Sequence, residues 1–306
     1  IKKISEKYGY QEFDGPNIEY LDLYVDKTSE EILKEQAFSL KDRDGRDILL
    51  RPEITPTMAR MVAQKSGSLT KPIKWFSFGR CYRYEQPQKG REREFFQWEI
   101  NVLGPETPQA DAEILAIAVE YFKQLSLTPD EVVIKVNDRS YFESFCKDLG
   151  LSKEQINSLV ETVDKKCKME GSWFEDQLKE VSLNSNQINK LNQFLENKDY
   201  SKSEWLLRVF ENLQKYPGVI DYIKFDQIIA RGFQYYTRTV FEAWDKTGNL
   251  KRAIFGGGRF DSLTETLGGE RVPGIGMAPG DVPIQALLEA LGKLPQLSPT
   301  APTILV

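Results

Sequence analysis

The chain has 306 residues, 40% hydrophobic and 28% charged, with a net charge of −5 and no histidine. That is room for one large or two ordinary domains around a buried core; the acidic total argues against coating nucleic acid in bulk, and the missing imidazoles remove histidine acid–base catalysis and histidine metal sites. No stretch approaches the ~18 consecutive apolar residues of a membrane span, and Cys81, Cys146 and Cys167 form no Cys-x-x-Cys pair, so the expectation is a cytoplasmic chain with no membrane association and no resident metal.

The opening Ile1-Lys-Lys-Ile-Ser-Glu-Lys reads as the start of an amphipathic helix, not a signal peptide. Gly9 and Gly15-Pro16 are turn signals, residues 29–37 read as a short helix, and Asp42 to Gly45 as a turn between strands. In Arg51-Pro-Glu-Ile-Thr-Pro-Thr-Met-Ala-Arg, Thr55 followed by Pro56 predicts an N-cap and a first-position proline. A helix over about 56–66 follows, with Glu53 and Thr55 at its N-terminal mouth. Residues 73–85 and 94–103 read as two strands joined by the polar loop Gln86-Pro-Gln-Lys-Gly-Arg-Glu-Arg. In the second strand Phe96, Trp98, Ile100 and Val102 point one way, and Phe95, Gln97, Glu99 and Asn101 the other. That polar row is either a ligand face or the solvent side of an antiparallel sheet.

A helix is expected at about 109–125 and a strand near 131–137. From 138 to 217 the texture becomes helical and rich in Lys, Glu, Asn and Ser. Ser152 with Gln155 makes a capping-box pattern, and Ile156, Leu159, Val160 and Val163 repeat at helical spacing. Strand texture returns at Val219 and runs through Arg231-Gly-Phe-Gln-Tyr-Tyr-Thr-Arg-Thr-Val-Phe-Glu, followed by the glycine runs Gly256-Gly-Gly258 and Gly274-Ile-Gly276 and a helix over about 282–291. The division is thus 1–137, a helical insertion at 138–217, 218–293, and a linker at 294–306 whose last residues read as the start of a further domain. Segregated helices and alternating strands predict an α+β fold with a mostly antiparallel sheet.

The chemistry-bearing residues are scattered. Residues 79–94 carry Arg80, Arg83, Lys89, Arg91 and Arg93 against Glu85, Glu92 and Glu94, a local excess of positive charge. Guanidinium groups clamp phosphate oxygens bidentately, so Arg83, Arg91 and Arg231 together would suit a nucleoside triphosphate; each alone would be an ordinary surface or salt-bridge residue. The glycine runs match neither a Walker loop nor the dinucleotide fingerprint. Glu53, Gln97, Tyr235 and Tyr236 each admit a structural role as a cap, a sheet amide or core tyrosines.

Taken together the segments resemble class II aminoacyl-tRNA synthetases, in the form used by the histidyl-tRNA synthetase family. Residues 83–97 resemble the second class II motif, 231–242 the histidine-binding signature, 51–56 the amino-acid loop, and 257–261 with 273–280 the glycine-rich strand and third motif. The resemblance implies that Arg83 and Arg91 hold the α- and γ-phosphates of ATP, Glu85 the adenine amino group and Phe95 the adenine ring. Glu53, Thr55 and Gln97 would bind the α-ammonium of histidine, and Arg231 both its carboxylate and the α-phosphate. Tyr235 and Tyr236 with Asn101 would line the side-chain pocket. It further implies Mg²⁺ on the phosphates, tRNA(His) as acceptor, a homodimer with its first motif near Tyr8 to Tyr24, and a C-terminal anticodon-binding domain. Four positions depart from the family pattern: Asn101 stands for a carboxylate, Gln234 for Asp, Phe260 for Tyr, and Pro283 for the third motif's arginine. The competing class is a histidine-binding paralogue without adenylate chemistry, resembling the regulatory subunit of ATP phosphoribosyltransferase.

Overall fold

The computed structural model describes residues 1–25, 27–28, 32–86, 88–166 and 173–295. The chain begins with helix α1 (Lys2–Lys7), β1 (Gln11–Glu12), β2 (Ile18–Tyr20), β3 (Phe38–Lys41) and β4 (Asp47–Leu50), followed by helix α2 (Thr55–Lys65). The long hairpin β5 (Ile73–Tyr82) and β6 (Glu94–Leu103) leads into α3 (Pro108–Gln124) and β7 (Val132–Asp138). Helices α4 (Arg139–Asp148), α5 (Lys153–Lys166), α6 (Trp173–Glu180), α7 (Ser185–Glu196) and α8 (Glu204–Leu213) come next. Then follow β8 (Ile223–Phe225), β9 (Thr239–Asp245), β10 (Ala253–Arg259), α9 (Leu263–Thr266), β11 (Gly274–Met277) and α10 (Asp281–Ala290).

One sheet organises the molecule, in the order β1-β5-β6-β11-β10-β9-β7-β8. Its pairings are antiparallel except β1 on β5 and β7 on β8, so the α+β expectation holds. A small sheet, β2-β4-β3, stands apart and carries the Asp42–Gly45 turn. The alternation along β6 decides the layering. Trp98, Ile100 and Val102 sink into a core with Ile114, Leu115, Val119 and Phe122 of α3. On the opposite face α2 contributes Met58, Ala59 and Val62 to a second core with Tyr235, Tyr236, Val240 and Phe260. Because Gln97, Glu99 and Asn101 lie on that covered face, they are buried, which removes the solvent-facing alternative.

The helical stretch divides in two. Phe142, Cys146, Ile156, Leu159, Val160, Val163, Leu191 and Phe194 close a core of their own, with the Ser152–Gln155 reciprocal cap at the head of α5. Leu206, Val209 and Leu213 of α8 instead pack into the main core beside α3.

Three local expectations differ from the structure. The first strand of the hairpin stops at Tyr82, so Arg83 lies one residue beyond it, although its N–H still donates to the Arg93 carbonyl at 2.9 Å. Thr55 is the first residue of α2, not its cap, because its hydroxyl is turned toward Glu99. Residues 226–238, expected as strand, make no regular element; the ladder resumes only at Thr239. Of the short helix expected at 29–37, Ile32–Gln36 forms a π-helical turn and residues 29–31 lie outside the described residues, as do 296–306 of the expected linker.

Candidate active site

The site stands on the sheet face opposite α3, where the polar row of β6 meets the segment 226–238 and the mouth of α2. Its floor is glycine. Gly276 of β11 pairs in register with Asn101, Gly258 of β10 with Gly276, and Gly256 with Glu242 of β9. A Cβ on Gly276 would land on Asn101 Oδ1; one on Gly258 would lie 2.7 Å from the Tyr236 ring, and one on Gly256 2.5 Å from Arg231 Nη1. These glycines exist because three polar side chains lie flat across the strands, where any side chain beneath would displace them.

Two buried carboxylates, Glu53 and Glu99, belong to this site. Glu53 is buried; Tyr235 donates to its Oε2 at 3.0 Å and Thr28 to its Oε1. Burial pushes its carboxyl up to about 7, against the pull of Arg83, the Tyr235 hydrogen bond and Arg231. Glu99 is buried too, and burial also lifts it to about 7. Its Oε1 accepts from Thr55 Oγ1 at 2.6 Å and from Asn101 Nδ2 at 2.7 Å, while its Oε2 has no hydrogen-bond partner among the described residues. A buried, unpartnered carboxylate oxygen is costly unless a ligand donor meets it. Gln97 is held only loosely, 3.5 Å from the Ala278 carbonyl and 3.6 Å from the Cys81 thiol.

The arginines gather beside this pocket. Arg231 sits at a left-handed φ of +57, rare for a side chain of its size, and Nη1 donates to Glu242 at 2.7 Å. Arg83 donates from Nε to the Pro52 carbonyl at 3.0 Å and lies over the Phe95 ring at 5.4 Å. Its charge reaches Glu53 on one side and Arg252 on the other. Arg91 pairs with Glu85 at 3.0 Å in the loop beyond β5. Thus Glu53, Thr55, Gln97, Asn101, Tyr235, Tyr236 and Arg231 lie on one face of the sheet, where contacts join Glu53 to Tyr235, Thr55 and Asn101 to Glu99, and Arg231 to Tyr236; Arg91 with Glu85 and Arg83 with Phe95 form two further pairs. Sequence reasoning placed Glu99 in the polar row without giving it a role. The signal was its parity with Gln97 and Asn101; whether that face was covered was not readable locally.

The family model for histidyl-tRNA synthetase matches residues 1–280. The chain belongs to the histidyl-tRNA synthetase family. The histidine–tRNA ligase of Haloarcula marismortui is 37% identical over 96% of this chain and 71% of its own length. The chloroplastic/mitochondrial histidine–tRNA ligase of Arabidopsis thaliana is 35% identical, covering 97% of this chain and 63% of that relative. In fold, the histidyl-tRNA synthetase from Nostoc sp. superposes with a TM-score of 0.80 at 24% identity, covering 98% of this chain and 72% of that one. An ATP phosphoribosyltransferase regulatory subunit/histidyl-tRNA synthetase from Bacillus halodurans superposes at 0.77 with 23% identity, over 94% and 76% of the two chains.

At position 101 an amide replaces the carboxylate, but Glu99, two residues away on the same face, is bonded to that amide. Gln234 is exposed. Phe260 is buried with its ring edge toward Tyr235 at 6.2 Å, deep in the core beneath the pocket. Pro283 lies in the first turn of α10, where Asp281 accepts from the Phe96 N–H at 3.0 Å and Gly280 bridges to Gln97.

Proposed function

We propose that the chain activates histidine with ATP, forming histidyl-adenylate and pyrophosphate, and then passes histidine to the 3′ end of tRNA(His). The observation that carries this reading is the position of Arg83. It donates at 3.0 Å to the carbonyl of Pro52, the neighbour of Glu53, lies over the Phe95 ring, and its charge acts on Glu53 on one side and on Arg252 on the other. A cation there can serve the amino-acid carboxylate and the phosphate it attacks at once.

The α-ammonium binds among Glu53, Thr55 and Gln97, and the side chain extends toward Glu99, Asn101 and Tyr236. The carboxylate oxygen of histidine attacks the α-phosphorus in line. A new P–O bond forms, the bond from that phosphorus to the oxygen bridging the β-phosphate breaks, and pyrophosphate departs with the electron pair. Attacker and target are both anionic, so fixed positive charge is the main catalytic resource, supplied by Arg83 and Arg231 around the reacting phosphate and Arg91 on the tail. The attacking carboxylate is already ionised, so the step needs no general base, and a chain without histidine can perform it. Phe95 and Glu85 hold the adenine. Mg²⁺ enters with ATP as part of the substrate. Among the described residues no group of three or more carboxylates and cysteines is placed to hold a metal ion.

The homodimer reading is supported by exposed apolar side chains on the small sheet: Ile18, Tyr20 and Leu40 are each about half exposed. No helix among the described residues is long and apolar enough to cross a membrane.

The test is histidine-dependent exchange of labelled pyrophosphate into ATP. Exchange that requires histidine establishes activation; histidine binding without exchange would instead favour the regulatory paralogue, for which the loss of the third-motif arginine at Pro283 is the specific argument.

A further inference from the structure

We propose that Arg252 is the third arginine of the ATP clamp, standing in from the head of β10 for the side chain that Pro283 cannot provide. The inference rests on the ATP-activating reading above and assigns to it a residue outside every motif that suggested that reading.

The geometry is local and specific. Arg252 immediately precedes β10, and its Nη1 donates to the Gly90 carbonyl at 2.9 Å, tying β10 to the tip of the β5–β6 loop that carries Arg91. Gly90 has a left-handed φ of +79. A Cβ on it would lie 3.7 Å from Arg252 Cδ and 3.9 Å from Pro283 Cα. The Arg252 side chain and the Pro283 backbone therefore flank the same glycine. A side chain at 283 would start from the place that Arg252 already reaches.

The electrostatics of this corner call for an anion. Arg252 is half-buried, with no carboxylate in ion-pair contact among the described residues and with the Gly90 carbonyl as its hydrogen-bond acceptor. Burial first, and then the charge of Arg91, push its guanidinium down to about 10, with Glu85 pulling the other way and Arg83 adding to the repulsion. Arg252 and Arg91 thus have one carboxylate between them, Glu85, which is itself paired with Arg91, and Arg83 adds a third positive charge to the corner. Like charges held together in a partly desolvated corner are unfavourable until a polyanion fills the space between them. The ligand that fits is the β,γ-phosphate tail of ATP. In that position Arg252 meets the negative charge that accumulates on pyrophosphate as it leaves, where a fixed cation lowers the barrier most.

The experiment compares the parent chain with Arg252→Ala, Arg252→Gln and Arg252→Lys in histidine-dependent pyrophosphate exchange, with histidine binding followed separately by calorimetry and folding by thermal melting. In a parent that exchanges, the two neutral variants should lose about 10²-fold in kcat/KM for ATP. Histidine affinity should stay within about twofold of the parent, and lysine, which keeps the charge without the fork, should recover part of the loss. The glutamine variant, close in size to the parent, keeps the test valid if the alanine variant melts early. An active parent whose Arg252→Gln variant keeps its ATP parameters within about twofold overturns the assignment alone. Equal losses for ATP and histidine overturn it as well, by showing a structural role. A parent that binds histidine without exchange refutes the activation reading, and this assignment with it.

Discussion

Replacing Gly276 with alanine adds a single methyl group where β11 runs beneath the amino-acid pocket. The new Cβ would coincide with Asn101 Oδ1 and come within 2.6 Å of the Ile100 carbonyl oxygen, against 3.4 Å for an ordinary contact. The amide can rotate, but the carbonyl belongs to the backbone of β6, so the two strands must separate by about 0.8 Å. Overpacking of this kind costs about 1–3 kcal/mol of stability. The functional effect is larger. Asn101 holds Glu99 at 2.7 Å, and Thr55 holds the same Glu99 oxygen at 2.6 Å, so moving the amide releases a carboxylate of the pocket. A misplacement near 1 Å lowers turnover by roughly 10²-fold. In pyrophosphate exchange, Gly276→Ala should therefore lose about that factor in kcat/KM for histidine, with KM for ATP changed only a few-fold. Gly67→Ala, with open space around its Cβ, serves as the control and should match the parent. A folded Gly276→Ala protein with histidine kinetics within about threefold of the parent would refute the flat packing of Asn101 over the glycine floor as a determinant of the site.

Arg231→Ala should lower adenylate formation by about 10²–10³-fold, the scale for one lost transition-state donor, measured as single-turnover formation of the adenylate; near-parental rates would remove its assigned role. Glu53 and Glu99 both titrate near 7 in the fold against an ordinary 4.5. Their contribution to stability is therefore full below about 4.5 and lost as pH rises through about 7, whereas Glu53 must be ionised to bind the α-ammonium and Glu99 to accept from the imidazole N–H. Melting temperature of the free chain should fall between pH 5 and 7.5 while histidine affinity rises, and Glu99→Gln should make both curves shallower, with the Glu53 part remaining; an unchanged profile contradicts the assignment. Asp111→Ala removes one of the two carboxylates that pair with the buried Arg259, leaving only Asp261 at 3.0 Å, and takes from Trp205 and Thr239 the carboxylate to which both donate. That should cost about 3–5 kcal/mol by urea unfolding, and a loss under about 1 kcal/mol would show the pair to be dispensable.

The β5–β6 hairpin, α2, α3 and α10 were legible because each depends on patterns carried within a few residues: alternation, a proline at a helix start, apolar spacing. The segment 226–238 was not. Its run of aromatic and β-branched residues has strand composition, yet Tyr235 is bonded to Glu53 and Arg231 to Glu242, and these contacts override local preference. Thr55 misled for the same reason, since a hydroxyl that would cap its own helix bonds instead to a residue 44 positions away. Arg252 carried no motif at all. Its proximity to Gly90 arises only when β10 closes onto the hairpin loop 162 residues earlier in the chain. Charge convergence across strands is a property of sheet order, which the sequence does not print.

The most direct test of the central claim is a crystal structure with a non-hydrolysable histidyl-adenylate analogue. The phosphate-mimicking group should lie within hydrogen-bonding distance of Arg83 and Arg231, with the imidazole beside Glu99, Asn101 and Tyr236 and the adenine on Phe95. An analogue bound with its imidazole away from Glu99, or with Arg83 turned from the phosphate mimic, would contradict the account.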